Sequence, residues 1–245
     1  MITALLGAAI FAMAPQDPSA LERARLAYVA GEHESARAAF ERALLEPDAP
    51  QGAIEFALGN CEVRLGRLGE AAWRYRRALT HTPRDAALWS NLRLVERRLG
   101  LPPEDRAGLV ATLFRLVDAG TPRELLILAV ALQSLGLASV LGLRRRPLAR
   151  LAGLVVLVLG LSAAALVLRD ALGAAPRRAV VLDREATLRA DPHADLPATA
   201  QLRVGELVTV LEGSDRWLHV ERAGVRGWVE RRRVGVVDGE SEFGP

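Results

Sequence analysis

The side chains that most often carry chemistry are sparse in this chain and do not converge. Cys61 is the sole cysteine and has no second Cys or His nearby at metal-ligand spacing, so it can form no intramolecular disulfide and reads as a small core residue. His33, His81, His193 and His219 fall in four separate segments, which proposes neither a metal cluster nor a histidine-based triad. No Gly-rich phosphate loop ending in Lys-Ser/Thr, no Gly-x-Ser-x-Gly and no His-Glu-x-x-His occurs. The expectation is a protein that is not an enzyme and uses no metal or cofactor. Nucleic acid is not an expected partner either. The 32 basic residues, every one an arginine, are nearly balanced by 29 acids, giving a net charge of +3, and a polyanion binder needs a clustered basic face.

The elements that must position any remaining site divide the chain into unlike blocks. Hydrophobic residues reach 51% while charged residues still reach 25%, with a mean hydropathy of +0.16, so the apolar residues must be concentrated in segments. Residues 1–19 resemble a short signal peptide: an apolar run from Met1 to Ala14 ends in the small-x-small pattern Ala12-Met13-Ala14, before Pro15 and Pro18. An uncleaved anchor is the alternative. Leu125 to Leu143 and Leu151 to Leu168 carry no charged residue and, as helices, would each cover roughly 27 to 29 Å, close to a bilayer core. Between them lie Arg144, Arg145, Arg146 and Arg150 without an acid. A short arginine-rich loop stays in the cytoplasm, so the hairpin at 124–169 is expected to place the domains on both sides of it outside the cytoplasm, at the bacterial cytoplasmic (inner) membrane. Ala138/Gly142 and Gly160/Ala164 offer small residues at four-residue spacing for close packing of the two helices. The segment 101–123 carries Leu109, Val110, Leu113, Phe114 and Val117 at helical spacing and predicts an amphipathic juxtamembrane helix.

Residues 20–100 contain a repeat. Ala36-Arg37-Ala38-Ala39-Phe40-Glu41-Arg42-Ala43-Leu44 aligns with Ala71-Ala72-Trp73-Arg74-Tyr75-Arg76-Arg77-Ala78-Leu79, and Gly31 aligns with Gly66. Small residues let two helices approach where they cross, and the aromatic fills the groove between repeats. Leu58-Gly59-Asn60, Leu65-Gly66, Glu70-Ala71, Tyr75, Ala78-Leu79 and Pro83 resemble the tetratricopeptide family. Glu62 stands where that family often has an aromatic. A third unit from Asp85, with Trp89, Asn91 and Leu92, is cut off by Gly100 and Pro102-Pro103 and reads as a capping helix. The resemblance implies a peptide-binding role for Asn60 and Asn91, at first-helix positions that clamp a backbone or terminal carboxylate in peptide-binding relatives, with Arg64 one turn beyond Asn60. A purely structural role for the asparagines is the alternative.

After Pro176 the pattern turns to short β-strands, expected near Ala179 to Leu182, Ala186 to Arg189, Leu207 to Glu212, Trp217 to Glu221 and Val225 to Glu230, which predicts a small barrel at 177–238 followed by a tail at 239–245. Ala186-Thr187-Leu188-Arg189-Ala190-Asp191-Pro192, Leu202-Arg203-Val204-Gly205-Glu206, Trp217-Leu218-His219-Val220 and Gly227-Trp228-Val229 resemble the bacterial SH3 family. That resemblance makes Trp217 and Trp228 candidates for a peptide or cell-wall groove, the alternative being that both are core aromatics. The expected fold class is multidomain: all-α tetratricopeptide helical repeats, two transmembrane helices and an all-β SH3-like barrel.

This domain order is similar to that of BatE-type aerotolerance-operon proteins. The resemblance implies a membrane-anchored interaction scaffold of the cell envelope, acting beside von Willebrand A-domain proteins and a MoxR-type ATPase. Two other functions stay open: an adaptor that tethers to peptidoglycan and recruits a partner through its repeats, and an accessory subunit of an envelope hydrolase.

Overall fold

The computed structural model describes residues 19–102, 122–142, 146–171, 177–193 and 197–237. The signal-like segment, the amphipathic stretch expected within 101–123, Arg144 and Arg145 of the arginine loop, and the tail at 239–245 lie outside the described residues.

Five helices come first: α1 (Ala20–Val29), α2 (His33–Ala43), α3 (Gln51–Arg64), α4 (Leu68–His81) and α5 (Ala86–Arg98). Their ends are written locally. Ser19 caps α1 in a reciprocal capping box with Glu22, and the Asp85 carboxylate accepts from the Ala87 and Leu88 amides to open α5. Gly31, Gly66 and Gly100 follow α1, α3 and α5 with φ of +81°, +76° and +67°. That left-handed conformation ends a helix and is disfavoured for any residue with a Cβ. These three glycines mark the same point in three successive units, so α5 is the first helix of a third repeat.

Each helix packs on its sequence neighbours. The alanines matched in the sequence repeat, Ala36 with Ala71 and Ala43 with Ala78, are all fully buried, as are the matched aromatics Phe40 and Tyr75 to within a few per cent. Glu55 is also fully buried. Its charge is met by Arg74 at 3.2 Å and Arg77 at 2.9 Å, and Arg74 reaches on to Glu41 at 3.0 Å, which ties α2, α3 and α4 together. Breaking such a buried pair costs far more than the pair contributes, because it strands a charge.

Two long helices follow, α6 (Pro122–Gly142) and α7 (Pro147–Ala171). Both are long and apolar enough to cross a membrane, over Glu124–Gly142 and Pro147–Ala165. They pack on one another as a hairpin whose outer surfaces expose leucines and valines. The contact includes Gly160 as expected but otherwise differs from the expected one. Ala138 and Gly142 are exposed, whereas Gly136 lies against the backbone of Gly153 and Leu157, and Gly160 lies against Gln133 and Ala129. The small residues in contact are thus Ala129 and Gly136 on one helix and Gly153 and Gly160 on the other, each pair seven apart. Seven-residue spacing keeps a nearly straight seam facing its partner, which four-residue spacing does not.

The C-terminal module is one antiparallel sheet of β1 (Arg177–Val181), β2 (Thr187–Arg189), β3 (Ala198–Gln201), β4 (Leu207–Gly213), β5 (Trp217–Arg222), β6 (Val225–Glu230) and β7 (Val234–Val236), in the order β3-β2-β6-β5-β4-β1-β7. It has seven strands where five were expected. Its inner face encloses Val181, Leu188, Leu202, Val208, Leu218, Val220 and Val229.

The two soluble modules form a joint core. Val180 and Val237 of the sheet module belong to the same buried cluster as Tyr75, Leu79, Leu88 and Val95 of the helices. Trp73 of α4 lies flat against Gly235 of β7, where a Cβ would come within 2.7 Å of three ring atoms, and its indole N–H donates to the Val236 carbonyl at 2.8 Å. Gly69 meets Leu182 and Val204 in the same way, and Arg76 donates to the Gly205 carbonyl at 3.0 Å. Flat aromatic contact on glycine backbone with the one polar atom satisfied is the packing of a fixed interface.

Candidate functional site

The helical array presents a groove built from the faces of α1, α3 and α5. Its apolar half, about 310 Å³, is lined by Leu21, Tyr28, Val29, Phe40, Ala53 and Ala57, with Arg25 at its side. Its polar half, about 410 Å³, is lined by Asn60, Arg64, Tyr75, Asn91, Leu94 and Arg98. Tyr28 and Asn60 line both halves, so the two hollows adjoin. Three of the lining side chains are arginines and none is acidic. An extended segment with apolar side chains and an anionic end matches that order of surfaces.

Asn60, Arg64 and Asn91, all singled out from sequence, meet here. The two asparagines are not equivalent positions. The glycine-marked repeat pairs Leu58 with Leu92, both buried, which leaves Asn60 and Asn91 offset and brings them face to face. The Asn91 amide donates to Asn60 Oδ1 at 3.4 Å, and the Tyr75 hydroxyl donates to the same oxygen at 2.8 Å. Burial pushes the Tyr75 hydroxyl pKa well above the usual phenol range, so this donor keeps its proton. With its oxygen occupied twice, Asn60 has its amide nitrogen left to offer. Arg64 is exposed at the rim, and Arg98, which the sequence reading missed, stands in the same half. Its signal was available: Arg98 follows Asn91 by seven residues on one helix, two turns along the same face. Tyr28 was missed because the first repeat has no close sequence match in its first helix.

Trp217 and Trp228 sit elsewhere, on the outer face of the sheet. Along β5, Leu218 and Val220 point inward, while Trp217 and His219 are half-buried on the other side; along β6, Trp228 is half-buried between inward Gly227 and Val229. They are therefore not core aromatics. His219 stacks on Trp228 with ring centroids 4.9 Å apart and planes 18° from parallel, and its Nδ1 lies 3.2 Å from Glu212. Trp217 is opposite Glu230, and Arg189 is opposite Trp228. Burial of Cys61 at 0% exposure pushes its thiol up to about 11, so it stays protonated and is a packing residue.

No curated protein and no solved structure matches the chain. On the sheet, residues 183–235, from the turn before β2 through most of β7, match the family described as the bacterial SH3 domain.

Proposed function

We propose that the protein is a non-enzymatic, membrane-anchored scaffold of the bacterial cell envelope whose helical groove holds an extended segment of a partner protein. A bacterial SH3 domain and two helices able to cross a membrane fit an envelope-associated protein. The observation that carries the scaffold reading is the groove, where a hollow lined by Asn60, Asn91, Arg64 and Arg98 adjoins an apolar one. The docking of α4 on β1 and β7 supports a further part of it: two modules sharing a core lie on one side of a membrane, the side opposite the arginine-rich loop. The similarity to BatE-type proteins would make the partners von Willebrand A-domain proteins working with a MoxR-type ATPase.

The test is binding of the full-length protein in detergent to a pooled library of peptides, each presented with a free C-terminal carboxylate and as the amide. Free-acid peptides with apolar side chains should be retained, and Arg64→Glu combined with Asn60→Ala should release them. Equal retention of the amides would refute the clamp.

A second reading is favoured by the outer face of the sheet. Trp228 stacked on His219, with Trp217, Glu230 and Arg189 around it, is a half-exposed aromatic platform edged by polar groups, which suits a sugar ring or peptidoglycan stem. Sedimentation of the full-length protein with purified peptidoglycan, lost in Trp228→Ala and not in Asn60→Ala, would move recognition to the sheet.

A further inference from the structure

We infer that the outer face of α5 rests on an anionic lipid surface, so that the helical array stands on the bilayer by its last helix. This rests on the reading of α6 as a membrane span and adds to it a second contact between the protein and the membrane. It is independent of the groove, which uses the other exposed side of α5.

Two linked contacts set the level of this helix. Glu124, the first residue of the apolar window of α6, pairs with Arg84 through both carboxylate oxygens, at 2.7 and 3.1 Å. Arg84 belongs to the short turn between α4 and α5. Two side chains in contact hold their backbones no further apart than their combined reach, on the order of 10 Å from covalent dimensions. A span that begins at Glu124 puts that residue at the edge of the hydrocarbon, and the headgroup layer beyond it is roughly 5 to 7 Å deep on each side. The turn is therefore held within about 10 Å of the hydrocarbon edge, in or just beyond the headgroup layer. Trp89, one turn into α5, donates its indole N–H to the Pro83 carbonyl of the same turn at 2.8 Å, which sets its ring at that level too.

The chemistry of the face suits that position. Trp89, Arg93 and Arg97 recur every fourth residue and share one side of the helix, opposite buried Leu88, Leu92 and Val95. Trp89 is 40% exposed, and Arg93 and Arg97 are exposed. Glu96, the one acid in α5, pairs with Arg76 at 2.6 Å, and among the described residues no carboxylate is paired with Arg93 or Arg97. Partly exposed indoles are enriched at headgroup depth, and arginines beside one attract anionic lipid.

The experiment places an environment-sensitive NBD fluorophore at Ser90→Cys, on this face, or at Val29→Cys, 85% exposed at the far end of the array, in a Cys61→Ala background. The full-length protein is reconstituted into phosphatidylglycerol vesicles containing lipid nitroxide-labelled at the headgroup. Quenching at position 90 and none at 29 is expected. Quenching should fall in phosphatidylcholine and in Arg93→Glu/Arg97→Glu, and should be lost in Arg84→Glu and restored by Arg84→Glu with Glu124→Arg. An unquenched position 90 in protein that still floats with the vesicles overturns the lipid contact and leaves the spans standing, the face then being open to solvent or to another protein. Failure to float overturns the spans and this inference together.

Discussion

Trp73→Ala should loosen β7 far more than it loosens the rest of the sheet. β7 is a three-residue strand at the end of the order whose one strand partner is β1, and the Trp73 ring covers it at Gly235 and bonds to it at Val236. Removing a buried aromatic costs about 3 to 5 kcal/mol, to be reduced here because Trp73 is half-buried. To that is added about 1 kcal/mol for the lost hydrogen bond to Val236. The guanidinium groups of Arg74 and Arg77, 4.5 and 5.3 Å from the ring centre, forfeit about 0.5 kcal/mol each. A total near 3 kcal/mol corresponds to about a 100-fold change in a local opening equilibrium. Hydrogen exchange of the full-length protein in lipid nanodiscs reads this directly. The amides of Leu182 and Val237, which bond to the Arg233 and Arg178 carbonyls across the β1–β7 pairing, and those within β7 should exchange about 100-fold faster, while those of central β5 change little. Trp73→Phe, which keeps the ring and loses the N–H, should give a smaller effect. Unchanged exchange at β7, or a uniform rise across the sheet, would refute the claim that α4 holds this edge.

Ala71→Arg should cost on the order of 3 kcal/mol or more, because it drives a charge into the fully enclosed contact of α4 with its neighbours; urea unfolding followed by helix signal checks this, and wild-type stability would contradict it. Glu62 gives a pH dependence of unusual sign. Burial raises its carboxyl pKa against the opposing pull of Arg37 and Arg67, so the folded state binds the proton more tightly than the unfolded chain. Its contribution is then fully present below the ordinary carboxylate pKa of about 4.3 and is lost as pH rises through the folded value. Glu62→Gln should raise Tm at pH 7 and give little at pH 4, and a gain confined to acid pH would contradict the assignment.

Much of the architecture was legible because it is local. Two sequence segments alike in Ala, aromatic and Gly positions specify a repeated helix pair, and two uncharged runs flanking arginines specify a hairpin. β3 and β7 were missed for physical reasons. Ala198–Gln201 is an edge strand, almost wholly exposed, with no alternation to see, and Val234–Val236 is three residues following a helical turn of arginines. The hairpin seam was misread by its period, since four-residue spacing was sought where seven-residue spacing holds. At the groove, residue types pointed to Asn60, Arg64 and Asn91, but their meeting depends on the offset between units, which only the stacked repeats reveal. The docking of α4 on the sheet was not legible at all. Trp73 is half-buried on the array side and its partner is a glycine backbone more than 160 residues away, which has no sequence signature. An aromatic outside the buried stripe of a repeat is the one hint it leaves.

The account stands on both modules facing away from the cytoplasm, and cysteine accessibility in intact cells tests that in one measurement. Single cysteines replace Arg64 in the groove, Asp215 in the β4–β5 turn and Leu148 in the first turn of α7 beside the arginine-rich loop, all exposed positions, with Cys61→Ala removing the native thiol. A membrane-impermeant maleimide applied to spheroplasts should label positions 64 and 215 at once and position 148 only after the membrane is permeabilised. Immediate labelling of 148 with protection of 64 and 215 would invert the topology, and labelling of 64 without 215 would separate two modules that the Trp73 contact requires to be together.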